Sequence, residues 1–211
     1  AFPPGTGPFV YKDYKVAREL ILTRNKNYWQ KGLPYIDELV LKPVIDDQVR
    51  FLSLRSRDLD MIERTPYAFV RKVVSGEMPG IQIAEAKYAG FRRLVFNVTQ
   101  PPFNNAKVRQ AMAHAINREE LISAESGFGV PIGSHFAPHN KAYVDLTKTY
   151  PFDLAKAKAL LAEAGYPNGF EASLKLPPVG YAQRAGEVIA NQLGKIGIKL
   201  TITQLQWPQW L

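Results

Sequence analysis

The stretch from Phe170 to Thr203 constrains the fold of this chain more than any other. Phe170 to Leu176 alternates apolar and polar residues, as a half-buried strand does. Tyr181 to Ile196 then carries Ala182, Ala185, Ile189, Leu193 and Ile196 at helical spacing, and Gly197 ends the run. Ile198 to Thr203 alternates again. Strand, helix and strand within about 35 residues make a βαβ unit. Its strands are expected to be parallel and joined by a right-handed crossover, the hand that lets the helix pack back on its sheet.

Upstream, the sequence predicts two consecutive capped helices. Asn104 is placed to cap the first, with Phe103 stapled onto Val108. Val108, Ala111, Met112 and Ala115 then share one face. Asn117 starts the second, with Glu120 three residues on and Leu121 and Ile122 behind it. Gly127, Gly129 and Pro131 stop it. Residues 130–150 read as a long irregular loop. Asp153 caps a third helix whose seam is Leu154, Ala157, Leu161 and Ala164, and Gly165 before Tyr166-Pro167 closes it.

The first half changes element every ten to fifteen residues, which argues for an α/β or α+β lobe with a mixed sheet. Leu20 to Leu22, Ile36 to Val44, Leu59 to Ile62, Ile81 to Ala86 and Phe91 to Val98 read as strands. A short helix is predicted from Asp46-Asp47 to about Ser56. A second starts with Thr65 as N-cap and Pro66 at the first helical position. Phe69, Val70, Val73 and Val74 are its expected buried face.

Composition limits the chemistry. The 211 residues include no cysteine, which excludes disulfides, thiolate metal sites and cysteine nucleophiles. No apolar run reaches the roughly 18 residues of a membrane span, and Ala1 to Phe9 lacks the pattern of a signal peptide. The net charge of +8 raises a nucleic-acid reading. The basic residues come in ones and twos, as in Arg55/Arg57, Arg71/Lys72 and Lys156/Lys158, without a dense segment interleaved with aromatics. They read as solvated faces, and no nucleic-acid partner is expected.

Catalytic and metal motifs are weak. His135 and His139 are four apart, but Pro138 spoils the helix that would align them. His114 reads as a packed or boundary residue. Asp58 and Asp60 share a face if their segment is a strand and could serve acid/base chemistry, yet nothing marks a nucleophile. One of Arg92 and Arg93 is placed to meet an acidic group or a ligand carboxylate. Gly5-Thr6-Gly7 is too short to cradle a phosphate. Neither a metal nor a cofactor is expected.

Six segments, in order, carry a resemblance. They are Gly5 to Phe9 (GTGPF), Arg24-Asn25 with Tyr28-Trp29, Leu54 to Met61 (LRSRDLDM), Asn97 to Ile122, Asp153 to Phe170, and Gly197-Ile198-Lys199. Together they resemble the bacterial extracellular solute-binding proteins of family 5, which serve oligopeptide, dipeptide and nickel ABC importers. The resemblance implies an α/β fold like that of type II periplasmic binding proteins, as a partial two-lobe fragment with mixed sheets. Residues 1–97 would belong to the first lobe and end in a hinge-crossing strand, and residues 98–211 would begin the second.

The resemblance also implies a non-enzymatic role, with solute capture by closure of two lobes and docking on ABC permease subunits in the membrane. It implies a periplasmic protein, or a lipid-anchored extracellular one. An oligopeptide is the expected partner, although relatives of this kind also carry nickel complexes, sugars and opines. Carried over from the family, the ligand-lining positions are Glu63, Arg64, Thr65, Tyr88 and Phe91. Tyr88 leads because it can both stack and hydrogen-bond. Packing is the alternative role of each.

Arg57 stands where the family pattern has glycine, so the turn there is expected to differ. The apolar ending, Gln206 to Leu211, suggests an internal piece of a longer protein. Two other readings stay open: a small α/β hydrolytic enzyme using Asp58, Asp60 or Glu63 with a histidine, and a basic nucleic-acid-binding module. The oligomeric state is open.

Overall fold

Leu20 to Leu22 fall in the centre of a three-stranded antiparallel sheet. In the computed structural model, which describes residues 5–85, 90–124 and 127–210, the strands are β1 (Phe9–Lys15), β2 (Glu19–Arg24) and β3 (Glu38–Leu41), in the order β1-β2-β3. The register shifts between Tyr11 and Asp13, an irregularity of the bulge type that increases local twist. Strand β1 has no counterpart among the sequence expectations, because its Tyr, Lys and Asp residues make no apolar alternation. Strand β3 is shorter than the expected Ile36 to Val44: pairing runs only from Glu38 to Leu41, before Pro43, which has no amide hydrogen to donate.

Two helices follow, α1 (Asp47–Arg55) and α2 (Tyr67–Val74). Asp46 caps α1 by accepting from the Val49 amide. The start of α2 differs from expectation. Pro66 is the N-cap and no side chain caps the helix, so Thr65 lies before it. Phe69 stacks on the fully buried Phe51 with ring centroids 3.8 Å apart, but Val74 is 72% exposed. Only part of the apolar face of α2 is covered. Among the described residues, Leu59 to Ile62, Ile81 to Glu85 and Phe91 to Val98 join no sheet. An apolar run becomes a strand only where a partner supplies its hydrogen bonds.

The end of α1 answers the question raised by Arg57. Ser56 closes the helix, the Arg57 amide donates to the Leu54 carbonyl, and the Leu59 amide returns to Ser53. Arg57 has φ +69°. The chain keeps a glycine-type turn with an arginine in it, which strains the backbone. Arg57→Gly is expected to raise the stability of this region by about 1 kcal/mol, seen as a higher urea midpoint with an unchanged slope.

The chain divides into two compact units, 1–83 and 84–211. The second is built on α3 (Ala106–Ala115), α4 (Arg118–Ala124), α5 (Leu154–Glu163), β4 (Glu171–Leu176), α6 (Gly180–Gly194) and β5 (Lys199–Gln204), with a short α7 (Trp207–Trp210) after it. The cap of α3 is Asn105, one residue later than expected, and its side chain accepts from the Lys107 amide. Asn117 caps α4 through the Glu119 and Glu120 amides. Asp153 caps α5 through the Lys156 amide.

Val108, Ala111, Met112, Ala115, Ala157, Leu161, Leu193, Ile196 and Ile198 form one buried core. The helical seams read from the sequence meet there. Burying each of the two leucines contributes about 2 kcal/mol. Leu94 and Phe96 pack against the same core. Strands β4 and β5 pair in parallel from Glu171↔Lys199 to Leu176↔Gln204, with α6 between them, so the expected strand–helix–strand order and parallel pairing are met.

Candidate functional site

The segment between α1 and α2 is irregular, and it carries three of the five candidate residues. Glu63 and Arg64 form an ion pair at 3.7 Å with both side chains almost fully exposed. Such a pair adds little stability in water. Arg64 adopts φ +58°, and its carbonyl accepts from Arg50 Nη2 at 3.2 Å. Thr65 is half-buried at the end of this turn.

Phe91 belongs to the second unit. It is 36% exposed, and its ring meets His135 edge-on at 5.9 Å. The Arg93 guanidinium lies 5.8 Å from the same ring, while Arg92 sits over Tyr181 at 4.1 Å. Both arginines therefore have aromatic neighbours at cation–π range. Tyr88 lies outside the described residues. Glu63, Arg64 and Thr65 are thus adjacent on one turn of the first unit, and Phe91 stands in an aromatic and basic group on the second.

A concavity in the first unit was not singled out from the sequence. A groove of about 380 Å3 in the first unit is lined by Phe9, Tyr28, Gln30, Leu33, Tyr35 and Ile36, among others, and by none of the four described candidates. Its signal in the sequence was the aromatic turn around Tyr28-Trp29. The walls come from residues far apart in the chain, brought together partly by Arg24, which donates from Nε and Nη2 to the Pro34 carbonyl.

The acid/base alternative has no assembled machinery in the first unit. Asp58 accepts from the Ser56 hydroxyl at 2.6 Å and serves the turn after α1. Asp60 and Glu63 are exposed, and all three histidines lie in the second unit. There His114 is buried at the end of α3, its Nδ1 2.7 Å from the Pro151 carbonyl and its ring edge-on to Tyr150. That ring is spent on packing the Tyr150–Asp153 segment. Among the described residues no group of three or more His, Asp or Glu side chains is arranged to hold a metal.

The loop at 130–150 is ordered by local turns. Thr147 donates its hydroxyl and then its amide to Asp145, and these bonds hold the Asp145 carboxyl below its ordinary range. Because the folded value is depressed, this turn is favoured above the unfolded value of about 3.9 and is lost as pH falls through the folded one. In an NMR titration the Thr147 amide is expected to shift only below about pH 4.

Comparison with known proteins decides the family. The model of the bacterial extracellular solute-binding proteins, family 5 Middle, matches residues 1–211. The chain belongs to this family. Family 5 consists of transport solute-binding proteins, which are not enzymes. Heme-binding protein A of Haemophilus influenzae is 36% identical over 214 residues, a match covering 99% of this chain and 39% of that protein. Glutathione-binding protein GsiB of Escherichia coli is 32% identical, over 99% of this chain and 40% of that protein. The periplasmic binding protein DppA of Helicobacter pylori, solved with the peptide STSA, superposes with a TM-score of 0.79 at 28% identity, over 98% of this chain and 40% of that one. A dipeptide-binding protein of a Pseudoalteromonas species, solved with Met-Leu, gives 0.80 at 28% identity over 98% and 41%. The family-5 chain thus has the fold of part of a type II periplasmic binding protein. It spans about two fifths of the length of these relatives. Among the described residues no helix is long and apolar enough to cross a membrane.

Proposed function

We propose that the full-length protein carrying this chain captures a small solute, preferably a peptide, and delivers it to an ABC importer. The observation that carries this reading is the match of all 211 residues to family 5. The peptide class is favoured because two superposable structures hold a tetrapeptide and a dipeptide. Heme and glutathione, the solutes in the names of two sequence relatives, are the alternatives. The reading includes a location outside the cytoplasmic membrane and permease subunits as partners. Chemical turnover has no place in it.

Residues 1–97 and 98–211 are assigned to a first and a second lobe, and 91–98 to a crossing between lobes. Two observations support the crossing. The segment has no ladder partner among the described residues, and Leu94 and Phe96 anchor it to the second unit's core. Glu63, Arg64, Thr65, Tyr88 and Phe91 are assigned to the solute. On the first unit, exposed charges next to a half-buried hydroxyl suit the charged ends and backbone of a peptide, and on the second unit Phe91 offers an exposed aromatic surface.

Titration calorimetry of the full-length protein with alanine peptides of two to four residues, glutathione and heme tests this. Saturable binding of one peptide, weakened by Thr65→Val or Phe91→Ala, is the expected result. Binding of heme alone overturns the peptide assignment, and binding of glutathione alone narrows it to that γ-linked tripeptide. Binding of none of these probes overturns solute capture for this set.

A further inference from the structure

The Arg50 side chain, in the first unit, bonds to three separate residues. Its place on α1 puts the guanidinium at the junction of three chain segments. Nη1 donates to the Val44 carbonyl at 2.9 Å, before the helix. Nη2 donates to the Asp47 carboxylate at 2.6 Å, in the first turn, and to the Arg64 carbonyl at 3.2 Å, beyond the helix. The side chain is only 17% exposed. Its Nε is buried and has no partner. A buried donor without a partner is unfavourable, so the arrangement persists because the other contacts outweigh it.

The third contact reaches the candidate solute turn. Arg64 holds a left-handed backbone at φ +58°, a conformation unfavourable for a residue with a Cβ. The Glu63 and Arg64 side chains, nearly free in solvent, do nothing to hold it. The Arg50 guanidinium donates directly to the Arg64 backbone carbonyl. A lysine has one point-like ammonium in place of a planar fork and cannot reproduce three divergent bonds to Val44, Asp47 and Arg64.

We propose that Arg50 is a positioning residue: its guanidinium clamps the Glu63–Thr65 turn in the conformation that presents these residues to solute. This rests on the assignment of the turn to the solute made above. Arg50 itself stays off the ligand and acts through the Arg64 carbonyl. The physical advantage is preorganisation, since a turn already held in its bound shape loses less conformational freedom on binding.

The test uses the full-length protein and its Arg50→Lys variant. The probes are the alanine peptides, read by calorimetry, and hydrogen exchange resolved to residues 63–65. Expected are an affinity lower by about tenfold and faster exchange at 63–65 than in wild type, with the remainder of the first unit protected as before. Ile21→Ala, in the central strand of the same unit, is the stability control. It is expected to lower the melting temperature while leaving affinity within about twofold, because it loosens the sheet without touching the clamp. Equal affinity for Arg50→Lys and wild type overturns the proposal, as does unchanged exchange at 63–65. An affinity loss matched by Ile21→Ala also overturns it, since general destabilisation would then explain both. If wild type itself binds no alanine peptide, the peptide reading fails separately. Exchange at 63–65 then still decides whether Arg50 holds the turn.

Discussion

Gly169→Ala is expected to destabilise the second unit by at least about 3 kcal/mol, from backbone strain and overpacking together. Gly169 has φ +78°, and a Cβ there would fall onto the Gly197 carbonyl and Cα. Gly197 is the reciprocal half of the contact. It has φ +87°, and a Cβ on it would stand 2.7 Å from the Asn168 carbonyl oxygen. The two glycines let the entry to β4 and the turn after α6 pass in direct backbone contact. The Lys199 amide then reaches the Phe170 carbonyl at 2.9 Å and starts the parallel ladder. Backbone cannot yield as a flexible side chain can, so the clash must be relieved by moving one strand of the pair. A chemical denaturation curve of the full-length protein measures the loss. Gly165→Ala is the control, since φ is +89° there but nothing lies within 4 Å of the added carbon. It is expected to lose only the conformational part, about 1 to 2 kcal/mol. Equal losses at the two sites would sink the close-approach argument.

Gln192→Leu is expected to lower stability by about 2 to 3 kcal/mol although the side chain keeps its size. Gln192 is 1% exposed in the middle of α6's packed face. Its Oε1 accepts from the Asn117 amide at 3.1 Å. Its Nε2 donates to the Asn117 carbonyl at 3.3 Å and to Glu120 Oε2 at 2.8 Å. One amide thus ties the start of α4 to α6 across 75 residues of chain. Leucine would fill the space but take the acceptor from the Asn117 amide, while the Asn117 carbonyl keeps only the Leu121 amide. Thermal melts of wild type and variant measure the difference. Gln192→Glu tests the same geometry by charge. A carboxylate there faces both Glu120 and a carbonyl, so its folded pKa is raised. Stability is then greatest below the unfolded value and is lost as pH rises through the folded one. A variant with no such pH dependence would contradict the assigned contacts.

Legibility in the sequence followed the range of each interaction. The helix seams Val108-Ala111-Met112-Ala115 and Ala157-Leu161 were readable because three- and four-residue spacing is a local property of a helix. Caps at Asn117 and Asp153 were readable because a side-chain acceptor and its amide donors lie within three residues. The same locality explains the small errors. Asn104 and Asn105 both suit a cap, and the backbone entering α3 selects the second. Thr65 was displaced as cap because Pro66 itself closes the start of α2.

The strand expectations failed where pairing partners were required. Leu59 to Ile62 and Phe91 to Val98 have strand-like composition, but no ladder forms on them among the described residues. Strand β1 pairs despite weak alternation, because β2 offers a complementary edge. The candidate site divides along the same line. The positions Glu63, Arg64, Thr65, Tyr88 and Phe91 came from the order of family motifs, which a linear sequence preserves. The link from Arg50 to the Arg64 carbonyl has no sequence signature, because any arginine near a turn looks alike until its guanidinium is placed.

By itself, then, the sequence determined the family, the βαβ order and the helix faces that become the second unit's core. Each depends on periodicity or motif order along the chain. Only the tertiary structure decided that Gly169 meets Gly197 backbone to backbone, that Gln192 closes on Asn117, and that Arg50 bridges Val44, Asp47 and Arg64. Those contacts join residues separated by up to 75 positions or depend on backbone angles, and neither distance in space nor φ is written in residue order.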